Sequence, residues 1–177
     1  LGAFGATNPA SPNGPGTVVV KDTTGSLDML TSNVASMMIT AAGPVTQSGA
    51  IRATRLTVQG NFKDAIALDT QPNAIGTFAA SNGSGGVGIK DAEGALDIGF
   101  IQGGPVNIVA ARPLTQSGFI NATALTVAGN GGPITLDTQV NKVDSFGADN
   151  PSGTVVFQDA TGGLVLTKSN AGLLWIK

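Results

Sequence analysis

The chain has 177 residues, a length that suits one domain or a short run of repeats. It has no Cys and no His, which excludes disulfide bonds, a Ser-His-Asp triad and ordinary zinc sites. The net charge of −2 comes without a basic cluster or a long apolar run, so we expect neither nucleic-acid binding nor a membrane span.

Short runs with an apolar residue at every second position follow one another along the chain and predict β-strands. No helical spacing of apolar residues persists over three turns, and many of the 26 glycines separate the runs. The sequence therefore predicts an all-β protein. In chain order, clear examples of these runs are Leu27–Met29, Met37–Ile39, Leu56–Val58, Ile66–Leu68, Val106–Ile108 and Ile134–Leu136.

An internal repeat of about 69 residues organises these strands. The motif Thr46-Gln47-Ser48-Gly49 returns at 115–118, and Leu56-Thr57-Val58 returns at 125–127. The copies are predicted at 1–74, 75–142 and 143–177; the third is incomplete, and both ends are expected to be cut mid-repeat. The first copy carries an extra loop rich in Pro and Asn between Asn8 and Gly16.

Strands of three to five residues are too short for a flat two-layer sheet, but they suit stacked coils in which each strand pairs above and below. We therefore predict a single continuous β-solenoid segment over 1–177, a right-handed parallel β-helix with roughly three coils of ~23 residues per repeat and about eight coils in all. A β-sandwich is the alternative architecture.

The run from Met37 to Ile51, with Leu56–Val58 downstream, resembles repeats of the filamentous haemagglutinin-like adhesins. Val106–Ala111 and Pro113–Ile120 match in the second copy. The resemblance implies a right-handed parallel β-helix shaft of a large protein that Gram-negative bacteria secrete, commonly by two-partner secretion, to attach cells to surfaces. The secretion domain and toxin ends of that family have no counterpart in these residues, so neither secretion signalling nor toxin activity is inferred for this chain.

This resemblance implies a structural shaft at the bacterial cell surface, secreted and extracellular, that forms or supports a fibre. We expect no enzymatic activity, no cofactor and no metal. Expected partners are a second copy stacked on the axis, or the continuation of a longer chain, and a host or cell-surface glycan or protein. The alternatives are a glycan- or protein-binding module on a β-helix face and, more distantly, a polysaccharide-degrading β-helix enzyme.

Few residues are candidates for chemistry. Asp22, Asp91 and Asp159 recur at one repeat position, where they could bind calcium or serve as paired acids, but an aspartate that hydrogen-bonds the backbone of a turn is the favoured interpretation.

Arg52 and Arg55 form the one close pair of arginines, either on a solvated face or in a groove for an acidic glycan. Trp175 is predicted to point outward between inward-facing neighbours and is a candidate partner contact. Phe4, Phe78 and Phe146 recur at one position and are expected in the core.

Overall fold

A computed structural model describes residues 2–8, 16–160 and 162–177. The described residues form one parallel sheet of 18 strands. The strands are β1 (Ala3–Phe4), β2 (Thr7–Asn8), β3 (Thr17–Asp22), β4 (Leu27–Met29), β5 (Ser32–Ala41), β6 (Val45–Gln47), β7 (Ile51–Gln59), β8 (Ile66–Ser81) and β9 (Val87–Asp91), followed by β10 (Leu96–Gln102), β11 (Pro105–Ala110), β12 (Leu114–Gln116), β13 (Ile120–Ala122), β14 (Ala124–Gly129), β15 (Ile134–Val143), β16 (Ser145–Asp159), β17 (Val165–Leu166) and β18 (Asn170–Ile176).

The sheet closes on itself as a β-solenoid of about eight turns, which confirms the predicted fold class. Strands pair in parallel with those one turn earlier and one turn later, as β7 does with β5 and β8. Several strands are longer than predicted because the extended backbone continues around the corners: β8 runs for 16 residues. The predicted loop between Asn8 and Gly16 lies mostly outside the described residues.

One turn takes close to 20 residues, fewer than the 23 expected. Val45 pairs with Ile66, Ile66 with Val87, Val87 with Val106 and Val106 with Leu125, so successive members of this column lie 19 to 21 residues apart.

Because of this turn length, a 69-residue repeat covers about three and a half turns, and each copy is rotated by half a turn. Leu114, the equivalent of Val45, accordingly lies in the opposite column, between Leu96 and Ile134. Equivalent residues of the two copies therefore face opposite sides of the solenoid.

The core is a set of apolar columns inside the coil, built from side chains that alternate with outward-facing ones along each strand. Phe78 and Phe146 are fully buried, and Phe4 packs against the core, as predicted from their recurrence. The Phe146 ring stacks on Phe157 with centroids 4.3 Å apart and planes 2° apart. The described residues include no helix of the length and apolarity that a membrane crossing would need.

Candidate functional site: the repeat motif and two surface grooves

The recurring Thr-Gln-Ser-Gly motif connects neighbouring turns on the outside of the coil. The hydroxyls of Thr46 and Ser48 both donate to the carboxylate of Asp28 on the preceding turn, at 3.4 and 2.5 Å. In the second copy Thr115 and Ser117 donate in the same way to Asp97, at 3.3 and 2.5 Å.

The glutamine of the motif points inward and meets a fully buried asparagine of the following turn. The Gln47 amide donates to Asn73 Oδ1, which also accepts the backbone N–H of Ile51 at 2.8 Å. The Asn73 amide in turn donates to the carbonyls of Leu68 and Lys90, each at 2.9 Å. Each polar group of Asn73 thus has a partner, as burial requires.

The second copy repeats this arrangement at Gln116 and Asn141. Gln116 donates to Asn141 Oδ1, which accepts the N–H of Ile120 at 2.8 Å, and Asn141 donates to Leu136 and Gln158 carbonyls. We name Gln47, Asn73 and Asp91 the first amide cluster, and Gln116, Asn141 and Asp159 the second amide cluster.

The recurring aspartates accept backbone hydrogen bonds. Asp22 and Asp91 do so within their own turns, as the favoured interpretation predicts, whereas Asp159 accepts from the preceding coil. Asp91 accepts from the N–H of Ile75 at 2.7 Å and of Gly94 at 3.3 Å. Burial nevertheless raises the pKa of Asp91, because desolvation outweighs these bonds. Asp159 accepts from Val143 at 3.0 Å, and Asp22 accepts from Thr24 at 3.1 Å.

The half-turn rotation sets Asp91 on the opposite side of the coil from Asp22 and Asp159, and those two lie about seven turns, roughly 34 Å, apart, so no two of them can act as a catalytic pair. Among the described residues, no three Asp, Glu, His or Cys side chains converge on a position that could hold a metal ion.

The glycine that ends the motif lies against the preceding turn. A Cβ at Gly49 would come within 2.0 Å of the Thr31 nitrogen, and one at Gly118 within 1.4 Å of the Gly99 carbonyl oxygen. The motif therefore requires Thr and Ser outside, Gln inside and Gly at the contact between turns. All four positions are explained by packing of the coil.

The comparisons with known proteins agree with this repeat. A family model described as repeats of unknown function, DUF5649, matches residues 15–82 and again 84–148. The chain belongs to the DUF5649 repeat family. No curated protein and no solved structure matches the chain. The two matched DUF5649 repeats have the period seen in the motif, and each contains one Thr-Gln-Ser-Gly sequence and the glutamine and asparagine of one amide cluster.

Each DUF5649 repeat also carries a concave groove on its outer surface. The first groove, of about 550 Å³, is lined by residues of three successive turns and by the next turn's Glu93. Arg52 reaches across Ala74, its neighbour on the following turn, and both terminal nitrogens of its guanidinium donate to the Glu93 carboxylate. This hydrogen-bonded ion pair raises the pKa of Arg52 and lowers that of Glu93.

The second groove, of about 370 Å³, occupies the equivalent position of the next DUF5649 repeat, on the opposite side of the coil. Its polar side chains are Ser84, Gln102, Asn121, Thr123, Lys142 and Asp144. The Ser84 hydroxyl donates to the Phe62 carbonyl at 2.9 Å. No hydrogen bond or ion pair joins the other five side chains to one another or to other described residues. The second groove is thus open where the first is bridged by an ion pair.

Three apolar side chains border the second groove, and we name them the apolar step: Phe100, Phe119 and Val140. Phe100, in β10, and Phe119, directly before β13, each lie two residues before a groove residue. Their rings meet at 6.3 Å between centroids with 38° between planes. Phe119 is 49% exposed, and Val140, two residues before Lys142 on the next turn, is 57% exposed. Sequence analysis did not select these residues.

The predicted contact residues lie in separate places. Arg52 belongs to the first groove, whereas Arg55 lies beyond the next corner, between Ser36 and Thr77, and is exposed. Trp175 points outward as predicted and is 59% exposed, on the last turn of the described coil.

Lys177 contacts both Trp175 and Asp137. Its ammonium lies 5.4 Å from the centroid of the indole ring and pairs with Asp137 at 2.5 Å. The structure does not bring Trp175 together with either arginine.

Proposed function

We propose that this chain is the structural shaft of an exported bacterial surface protein of the filamentous adhesin type, which forms or supports an extracellular fibre and has no catalytic role. The observation that carries the proposal is the repeated set of inter-turn hydrogen bonds. Asp28, Thr46, Gln47 and Asn73 connect three successive turns, and an equivalent set recurs one repeat later. A unit that repeats its own axial connections suits an extended rod.

The resemblance of Met37–Ile51 to filamentous haemagglutinin-like repeats supports a secreted, cell-surface location. The glutamines and asparagines of the amide clusters are buried inside the coil and are not accessible to a substrate. Their role is to satisfy backbone groups between turns, which fits a mechanical function.

Axial association is part of the proposal. Among the described residues, strand β18 pairs with β16 alone, so no described strand covers its other edge. Leu174 and Ile176 face the core but are only partly buried, because no further turn packs on them. An added turn, from a second copy or from further repeats, would cover them.

Electron microscopy of the full chain over a range of concentrations tests this proposal. Eight turns give a rod of roughly 38 Å, so longer rods with a ~4.8 Å axial spacing are expected as concentration rises. Ile176→Lys should return the rods to single-chain length, because a charge at the open edge opposes stacking. Met38→Lys, on an exposed lateral position, is the matched control and should leave the length unchanged.

Two results would contradict the proposal. One is a population that stays at single-chain length at all concentrations, which argues against axial association. The other is cleavage of a polysaccharide by the purified chain that is lost on neutralising one carboxylate, which would make the protein an enzyme.

A further inference from the structure

The outer surface around the second groove has the composition of a ligand site. Three apolar side chains, Phe100, Phe119 and Val140, occupy successive turns beside it. Their equivalents beside the first groove are Thr31, Ala50 and Pro72, which offer no aromatic ring. Phe119 is exposed and Phe100 is half-buried, and apolar groups gathered on a surface in this way often mark a binding site.

The polar side chains of the second groove are placed two residues further along the same strands, about 7 Å from the apolar step. Gln102, Asn121 and Lys142 follow Phe100, Phe119 and Val140 in this way on three consecutive turns. An aromatic surface therefore stands beside a row of amide and ammonium donors, with carbonyl and carboxylate acceptors in reach.

The charge of the second groove favours an uncharged ligand. Lys142 and Asp144 are both exposed and contribute opposite charges, so their sum is zero. One lysine cannot neutralise a phosphate backbone, and Asp144 repels acidic chains. Hydroxyl groups, which donate and accept, match the mixture of amides, hydroxyl, ammonium and carboxylate.

We propose that the second groove is a binding subsite for a neutral polysaccharide. The C–H face of one sugar ring packs on Phe119, supported by Phe100, and hydroxyls of the chain bind Gln102, Asn121, Lys142 and Asp144. Its volume of about 370 Å³ falls within the range usual for small-molecule sites. The site adds lateral attachment to the shaft and does not depend on axial association.

Calorimetric titration of the full chain with cellohexaose and with chitohexaose tests the subsite, with hexagalacturonate as the acidic comparison. At least one neutral hexasaccharide should bind saturably, and hexagalacturonate should bind more weakly. Phe119→Ala should lower the affinity for the neutral hexasaccharide by at least about tenfold, because the stacking surface is lost. Phe62→Ala, which removes an exposed aromatic ring outside both grooves, is the matched control and should bind as the unaltered chain does.

Asn121→Ala is a second variant that leaves the apolar step intact, and it should also weaken binding of the neutral hexasaccharide. Thermal melting of every variant verifies the fold. The subsite is wrong if neither neutral probe binds at millimolar concentration, if Phe62→Ala and Phe119→Ala lose affinity equally, or if hexagalacturonate binds best. It is also wrong if Phe100→Ala/Phe119→Ala abolishes lateral dimers in sedimentation while no probe binds, because the apolar step would then be a contact between copies.

Discussion

The two repeat copies agree closely inside the coil and differ on its surface. The first and second amide clusters make equivalent hydrogen bonds, including the donation from the asparagine to two carbonyls at 2.9–3.0 Å. Outside, Arg52 is replaced by Asn121 and Ala50 by Phe119. The interior is fixed by the need to satisfy buried groups, whereas the surface is free to acquire separate roles.

One turn differs between the copies in its backbone. Phe62 and Gly131 are equivalent and both have positive φ, 73° and 86°, a conformation that costs little only for glycine. Asn150 Oδ1 accepts the N–H of Gly131 at 2.9 Å, whereas the equivalent Asn82 Oδ1 is buried with no partner among the described residues. The first copy is therefore the more strained at this corner.

Removing the central asparagine should produce the largest effect. Asn73→Ala and Asn141→Ala each leave one N–H and two carbonyls buried without partners, so each should lower the free energy of unfolding by about 3–5 kcal/mol. Urea unfolding measures both. Similar losses in the two copies are expected, and a loss below about 1 kcal/mol in either would show that the clusters are not equivalent.

The motif glycines come next. Gly118→Ala should lower the free energy of unfolding by about 2–3 kcal/mol, since the new Cβ overlaps the backbone of the preceding turn. Gly49→Ala should lower the free energy of unfolding by a similar amount. Gly94→Ala is the control, because a Cβ there meets nothing within 4 Å. Equal melting temperatures for Gly118→Ala and Gly94→Ala would contradict the close contact between turns.

These residues show which features of the fold can be predicted from the sequence. The repeat of Thr46-Gln47-Ser48-Gly49 and the alternation of apolar residues were sufficient to predict a solenoid of about eight turns. They did not reveal the half-turn rotation, because the length of a coil depends on how tightly each corner bends, and the corners have varied lengths.

The second groove was equally hidden from sequence analysis, since its residues converge only through the pairing of three turns. Phe100 and Phe119 could have been noticed as large outward residues at positions where the first copy has Thr31 and Ala50. Arg52 and Arg55 are close in sequence but are separated by a corner, so their proximity carried little information.

The strained corner offers a smaller test. Phe62→Gly should raise the free energy of unfolding by about 0.5–1 kcal/mol, because relief of the positive φ exceeds the entropy that glycine adds to the unfolded chain. Gly131→Phe, the matched change in the second copy, should lower it. If both variants shift stability in the same direction, backbone strain does not explain the difference between the corners.

The buried carboxyl of Asp91 should produce a modest pH dependence. Its pKa is raised in the folded state, so its contribution to stability is full below the ordinary value near 3.9 and is lost as pH rises through the folded pKa. The unaltered chain should therefore gain stability relative to Asp91→Asn as pH falls from 7 toward 4. Urea unfolding at several pH values measures this, and a relative loss on acidification would contradict the raised pKa.

The surface ion pair should matter least. Arg52→Asn gives the first groove the residue of the second, and the melting temperature should not change measurably, because an exposed pair contributes little. Glu93→Gln is the companion variant. A large decrease in melting temperature with either variant would mean that the first groove contributes to the stability of the coil.

The half-turn rotation has a consequence for valency. In a tandem array of this unit, odd and even copies would point their grooves to opposite sides, related by a twofold screw along the axis. Copies facing the same side would then recur every seven turns, roughly 34 Å apart. A flat surface could therefore contact only alternate copies, and surfaces on opposite sides of the rod would meet different grooves, one open and one bridged by an ion pair.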